Sequence, residues 1–328
     1  MTITFYSAKS YDKVYFDQFN TTHKIHYTEV RLEEDSIGLC AGSNAVCLFV
    51  NDRANADAIR QMSKQGIQLI ALRCAGFNNV DLKAAKEYNI PVVRVPAYSP
   101  HAIAEHAAAL ILTLNRKTHK AYNRVRDGNF SLERLTGFDL FGKTVGVIGT
   151  GKIGATFCEI MLGFGCKVLA YDLAENETLK TKGVRYCTLT ELFPAADIVS
   201  LHCPLNDSTR HLINKESLQL MKPGAMLINT GRGALIDSKA VLRALKSEHL
   251  GYLGIDVYEQ EEQLFAQDLS DTIIPDELIL RLMTFPNVLI TAHQAYLTEE
   301  ALSEIARITL QNIDAFEKGD LLNQVVIK

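Results

Sequence analysis

Short apolar runs alternate with amphipathic stretches along most of this 328-residue chain. In the first hundred residues, β-rich runs at 3–6, 45–50, 69–72 and 92–95 predict strands. Stretches at 54–64 and 82–88 predict helices, the second stopped before Pro91. That rhythm predicts a small parallel α/β domain. After the break Tyr98-Ser-Pro-His101, one helical pattern runs from 103 to 126, with an apolar start and a basic end. A second α/β series follows, with strands near 143–148, 167–171, 197–202, 225–229, 251–256 and 288–291. The final helix is expected over 298–318. Thr298 is its N-cap, Glu299 and Glu300 favour its dipole, and Gly319 stops it. The pattern leaves open which domain this helix packs on.

Composition narrows the function classes. The length suits two domains, and 47% hydrophobic residues can fill two cores. A net charge of −4 gives no general attraction to nucleic acid or to an anionic membrane, and neither is expected as a partner. The longest apolar helical stretch, 102–114, contains Glu105 and His106 and is too short to span a bilayer. Seven cysteines are irregularly spaced, lack a CxxC and mostly lie in apolar runs. They read as buried reduced thiols, and with an N-terminus that reads as a strand rather than a signal peptide they fit a cytoplasmic protein. No histidine pair has metal-ligand spacing, so no metal is assigned.

The segment Gly149-Thr-Gly-Lys-Ile-Gly154 adds chemistry to the pattern. It follows the apolar run 143–148 and precedes a helical stretch at 155–164. Gly149 permits a tight turn, Gly151 lets backbone approach a pyrophosphate, and Gly154 lets the helix pack closely on the strand. The next run, 167–171, ends in Asp172, 23 residues after Gly149. A carboxylate there accepts hydrogen bonds from a ribose and repels a 2′-phosphate, so NAD is expected rather than NADP.

Ligands of open α/β sheets bind outside the carboxyl ends of the strands, and three polar residues fall there. Arg232 follows the run 225–228, Glu261 follows the run 252–256, and His293 follows 288–291. Taken singly, the arginine reads as a solvated charge, Glu261 as one of an acidic run with Glu259 and Glu262, and His293 as a turn cap. Beside a dinucleotide motif the three become a candidate catalytic set. Hydride transfer to a ketone builds negative charge on oxygen; histidine can protonate it, a carboxylate can stabilise the imidazolium, and arginine can hold a substrate carboxylate. His202 ends a strand and is a candidate for the adenine side of the cofactor, whereas for His101 and His106, at the start of a long helix, capping or packing weighs at least as much as function.

These segments together resemble the D-2-hydroxyacid dehydrogenase family. The likeness is carried by the glycine motif, Asn229-Thr-Gly-Arg-Gly-Ala-Leu-Ile-Asp237, Gly254-Ile-Asp-Val-Tyr-Glu-Gln-Glu261 and the His293 loop, and runs from about 73 to 302. Ile290-Thr-Ala-His-Gln-Ala-Tyr-Leu-Thr298 and the acidic stretch 259–271 are similar to the branch acting on D-lactate. The resemblance implies a Rossmann-type doubly wound parallel sheet domain at 99–296. It also implies a smaller discontinuous flavodoxin-like α/β substrate domain at 1–98 and 297–328.

It further implies that Arg232 binds the substrate carboxylate and that His293 exchanges the proton with Glu261 as its partner. Ala75 and Gly76 would offer backbone N–H groups to that carboxylate, and Tyr98 and Tyr296 would contact the substrate. Lys152 and Ile153 would cover the pyrophosphate, and Asp172 would hold the ribose. Cys203, Pro204, Thr209, Thr230, Gly231 and Asp256 would line the rest of the cofactor. Pyruvate reduced to D-lactate is the expected reaction. A bulkier D-2-hydroxy acid is the rival substrate, and an NAD-sensing, non-catalytic corepressor the rival class. Self-association as a homodimer or homotetramer is implied, with the helices near 103–126 at the interface. Phe77, where the family commonly has an aliphatic residue, and Lys152 depart from its pattern.

Overall fold

Strands form where apolar residues can be covered on both faces of a sheet. In the computed structural model, which describes residues 1–265 and 267–326, the chain divides into two units: Met1–Ser99 with Leu297–Lys328, and Pro100–Tyr296. Ile327 and Lys328, which the expected substrate domain includes, lie outside the described residues.

The first unit holds β1 (Thr2–Phe5), β2 (Lys24–Tyr27), β3 (Ala45–Leu48), β4 (Leu69–Leu72) and β5 (Val92–Arg94), all parallel, in the order β2-β1-β3-β4-β5. β3 and β4 are buried at every residue. The sequence reading lacks β2 because it is a short edge strand with an exposed polar face. It also lacks the helix Ser10–Phe19, whose aromatic and β-branched residues carry little helical signal. The last helix, Glu299–Glu317, packs on Ser10–Phe19 and β4, and the Thr298 side chain accepts from the Ala301 N–H. Beyond it the chain turns back, and Gln324 pairs antiparallel with Val93, covering the open edge of β5.

The order of strands reverses between β1 and β3, and side chains fill that point. Asp52, fully buried, accepts from Ser7 Oγ (2.7 Å), Leu32 N (2.8 Å) and Phe49 N (2.6 Å). The Arg73 guanidinium, 2% exposed, lies over the Phe5 and Phe49 rings at 4.3 and 4.9 Å and donates to the Ser7 carbonyl.

The second unit holds β6 (Thr144–Ile148), β7 (Lys167–Tyr171), β8 (Arg185–Tyr186), β9 (Ile198–Leu201), β10 (Ala225–Asn229), β11 (Leu250–Ile255) and β12 (Val288–Ile290). All are parallel, in the order β12-β11-β10-β9-β6-β7-β8. This is the doubly wound arrangement, reversing between β6 and β9. The single helical pattern expected over 103–126 is instead two helices, Pro100–Arg116 and Thr118–Arg126. Lys117, at φ 52°, breaks them, because a left-handed residue cannot continue a right-handed helix. The break coincides with the end of the apolar stripe, and Thr118–Arg126 buries none of its residues. Among the described residues no helix is long and apolar enough to cross a membrane. Among the described residues no disulfide joins the cysteines, and burial pushes the thiols of Cys158 and Cys203 up to about 12 and about 11.

Candidate active site

The glycine loop lies at the reversal between β6 and β9. Gly149 has φ +93°, a conformation open to glycine, and a Cβ there would come within 2.5 Å of the Cys203 nitrogen. A Cβ on Gly154 would overlap the Gly149 carbonyl oxygen. Gly151 differs, because a Cβ there would meet nothing within 4 Å. It faces open space at the N-terminus of the helix Lys152–Gly163, which has no side-chain cap. Uncapped N–H groups at Lys152 and Ile153, a helix dipole and room beside Gly151 suit a pyrophosphate. The loop therefore fits a dinucleotide on its own geometry.

Asp172 follows β7. Its Oδ2 accepts from Thr150 N (2.5 Å) and Thr150 Oγ1 (3.1 Å), and its Oδ1 from Ala174 N (3.3 Å). Partial burial would raise its pKa, but these hydrogen bonds outweigh that and hold the carboxyl below the usual range. A fixed anion thus stands beside the loop. His202 follows β9, with Nε2 2.9 Å from Ser200 Oγ and its ring 4.8 Å from Phe157. Burial pushes its pKa down to about 3, so it is neutral, and its imidazole is engaged by the chain. Thr209 Oγ1 donates to the Pro204 carbonyl at 2.7 Å and shapes the turn after Cys203. Thr230 Oγ1, by contrast, is buried without a hydrogen-bond partner.

Arg232, Glu261 and His293 follow three adjacent strands, β10, β11 and β12. The Arg232 turn is built by Asn229, a fully buried residue at the end of β10. Its Nδ2 donates to the Arg232 carbonyl (2.9 Å) and its Oδ1 accepts from Gly231 N (3.0 Å). Glu261 opens a short 3₁₀ turn and its Oε1 lies 2.8 Å from His293 Nδ1. Its Oε2 accepts from Tyr258 N at 2.9 Å. With Nδ1 engaged, the other ring nitrogen, Nε2, is the one left to a ligand. The imidazole remains 23% and the carboxylate 16% exposed.

His293 itself has φ +54° and donates its N–H to the Asp256 carbonyl at 2.7 Å. Asp256, expected along the cofactor, is fully buried. Its carboxylate accepts from Thr291 Oγ1 (2.5 Å), Gln294 N (2.9 Å) and Ala295 N (2.8 Å), with His106 Nε2 at 3.5 Å. Burial alone would raise its pKa, but those donors, His106 foremost, hold it below the usual carboxylate range. These hydrogen bonds to Thr291, Gln294 and Ala295 shape the His293 loop. His106, left between packing and function in the sequence, is its buttress, with Nε2 3.0 Å from Thr291 Oγ1.

In the first unit the carbonyls of Ala75 and Gly76 are tied down, by Arg94 Nη1 (2.7 Å) and Cys74 Sγ (3.3 Å). The unusual Phe77 carries Arg94 on its ring face at 5.1 Å. Tyr98 and Tyr296 are half-buried. Among the described residues one group gathers three possible metal ligands, His23 with Asp314 and Glu317. It lies in the first unit, with the Met1 ammonium between His23 Nδ1 and Glu317 at 3.1 Å from each, and we read it as an ion-pair cluster.

Comparison with known proteins agrees with this geometry. Residues 108–295 match the family model for the D-isomer specific 2-hydroxyacid dehydrogenase, NAD binding domain. The chain is 51% identical to 2-hydroxyacid dehydrogenase A of Aspergillus oryzae, over 96% of this chain and 92% of that one. It is 49% identical to D-lactate dehydrogenase of Escherichia coli, over 98% of either chain. The apo structure of D-lactate dehydrogenase from Escherichia coli superposes with a TM-score of 0.92, covering 99% of this chain and 100% of that one at 47% identity. A glycine cradle, a carboxylate fixed beside it and a histidine–glutamate pair, with an arginine following the adjacent strand, are thus found in a chain that belongs to the D-isomer specific 2-hydroxyacid dehydrogenases, enzymes of NAD-dependent oxidation and reduction.

Proposed function

We propose that this enzyme is a D-lactate dehydrogenase that reduces pyruvate to D-lactate reversibly. The observation that carries the reading is the 2.8 Å contact between Glu261 and His293, at strand ends next to the Arg232 turn. NADH, when bound, supplies the hydride. Arg232 holds the pyruvate carboxylate, as a planar guanidinium can in two-point fashion. His293 donates the Nε2 proton to the carbonyl oxygen as negative charge develops there, and takes it back in the reverse direction. Glu261 accepts from Nδ1–H, fixing the tautomer and balancing the imidazolium. The backbone N–H groups of Ala75 and Gly76, with Tyr98 and Tyr296, complete the substrate contacts. Lys152 and Ile153 hold the pyrophosphate through backbone N–H, and Asp172 takes the ribose hydroxyls. Cys203, Pro204, Thr230, Gly231 and Asp256 line the path between, with His202 and Thr209 shaping its wall.

In this reading residues 99–296 bind NAD, and residues 1–98 with 297–328 bind substrate. The enzyme works as a homodimer or homotetramer in a reducing cytoplasm. Following NADH absorbance with pyruvate and with a branched 2-keto acid tests the reading. Pyruvate is expected to give the higher kcat/KM. Preference for the branched acid would replace the substrate, and binding of NADH without turnover on any 2-keto acid would favour a sensor. His293→Ala is expected to lower kcat by about 10²-fold or more while NADH affinity holds; unchanged turnover would sink the assignment.

A further inference from the structure

Glu261 is carried on a loop whose anchorage has its own chemistry. Two residues earlier, Glu259 makes a second histidine–carboxylate contact. His211 Nε2 lies 2.6 Å from its Oε1, and Ser238 Oγ donates to its Oε2 at 3.3 Å. The three residues come from three segments. His211 belongs to the connection after β9 that carries Thr209, and Ser238 opens the helix Ser238–Lys246 just beyond the Arg232 turn. His211 is held at φ +51°, an unfavourable conformation for a side-chain-bearing residue, with its N–H donated to the Ala234 carbonyl at 2.8 Å. Beside Arg232, a Cβ on Gly233 would overlap the Tyr258 carbonyl and the Glu259 nitrogen. The Glu261 loop therefore lies directly on the backbone that follows Arg232.

We infer that the His211–Glu259 pair is a positioning device for the reaction. It pins the 257–261 loop across the Arg232 turn so that Glu261 meets His293. It also ties that loop to the segment carrying Thr209. The inference rests on the reading of Glu261 and His293 as the pair that handles the proton. Other ties on the loop act elsewhere: Tyr258 Oη donates to Asp276 at 2.8 Å, and Tyr258 N to Glu261 itself. Neither crosses to the Arg232 turn. The His211 side chain is 39% exposed, so the pair contributes little to global stability. A positioning role is therefore separable from a structural one.

The test uses the full-length enzyme with Glu259→Ala, Glu259→Gln, His211→Ala and the double alanine variant. Glu259→Ala is expected to lose about tenfold in kcat for pyruvate with KM and NADH affinity nearly unchanged, the signature of a contact used only in the transition state. Glu259→Gln, whose amide oxygen still accepts from His211, is expected to recover most of that loss. The double variant is expected to be no worse than the poorer single one, because the two residues act as a unit. A second readout needs no turnover. The low-field imidazole N–H resonance that His293→Gln removes should also vanish in Glu259→Ala. If the wild type does not reduce pyruvate, the proposed function fails while this resonance still judges the clamp. Wild-type kcat and an intact His293 resonance in Glu259→Ala, or losses matching only a smaller folded fraction, would overturn the inference.

Discussion

The two sheets reverse strand order at comparable places, β1/β3 in one unit and β6/β9 in the other, yet only one of these points is left open. At β1/β3 the buried Asp52 gathers Ser7, Leu32 and Phe49, and Arg73 fills the neighbouring space. At β6/β9 glycines withdraw side chains, and Gly151 opens onto free space at an uncapped helix N-terminus. The second unit has its own buried carboxylate lock, Asp256, but places it at the end of β11, where it shapes the His293 loop and leaves the cradle clear. Topology supplies a crevice at each reversal; the side chains decide whether it becomes a site.

Filling or emptying these points should separate stability from binding. Asp52→Ala strands one buried backbone donor, Leu32 N, and one half-buried, Phe49 N; at ~1–3 kcal/mol for a buried donor and less for the other, it should lower unfolding free energy by roughly 1–4 kcal/mol in denaturant titrations. A loss below 1 kcal/mol would mean the lock is ornamental. Gly154→Ala should cost about 1–3 kcal/mol by overpacking and impair both thermal stability and NADH affinity, since helix and strand must separate. Gly151→Ala should leave Tm unchanged yet weaken NADH about tenfold, or about 1.4 kcal/mol, by calorimetric titration. Equal damage to Tm and to binding in Gly151→Ala would show that the cradle is closed.

The smallest effect concerns acid. Asp256 has a folded pKa below its unfolded value, so its contribution to stability is complete above the unfolded pKa near 3.9 and is lost as pH falls through the folded one. Below pH ~4 the wild type should therefore lose stability more steeply than Asp256→Asn, by up to one proton's slope, about 1.4 kcal/mol per pH unit. Parallel acid limbs in the two proteins would contradict it.

The same contrast explains what could be read from the sequence. The cradle was legible because its parts are consecutive: strand, glycines, helix, strand and acid follow one another from 143 to 172. Arg232, Glu261 and His293 were reachable because strand ends converge in a parallel sheet, and because their motifs resemble a family. The residues that hold them in place carried weaker signals. Asn229 enters the sequence reading only as the first residue of the segment that carries Arg232, and His106 meets Thr291 across 185 positions. Glu259 reads in the sequence only as part of an acidic run and nothing in the pattern singles out His211; the turn at Gly233 brings their segments together. β2 and β8 escaped because four and two residues at sheet edges do not establish a period. The break at Lys117 escaped because backbone handedness at a lysine leaves no trace in hydrophobic pattern.

The second unit is one uninterrupted stretch, whereas the first is assembled from both ends of the chain. During synthesis the NAD-binding fold can therefore close as soon as residue 296 emerges. The first sheet, meanwhile, still lacks the helix Glu299–Glu317 that covers it and the tail that pairs with Val93. The nascent enzyme should thus be able to hold its cofactor before its other half is finished, with NADH favouring the folded form of a half-made chain.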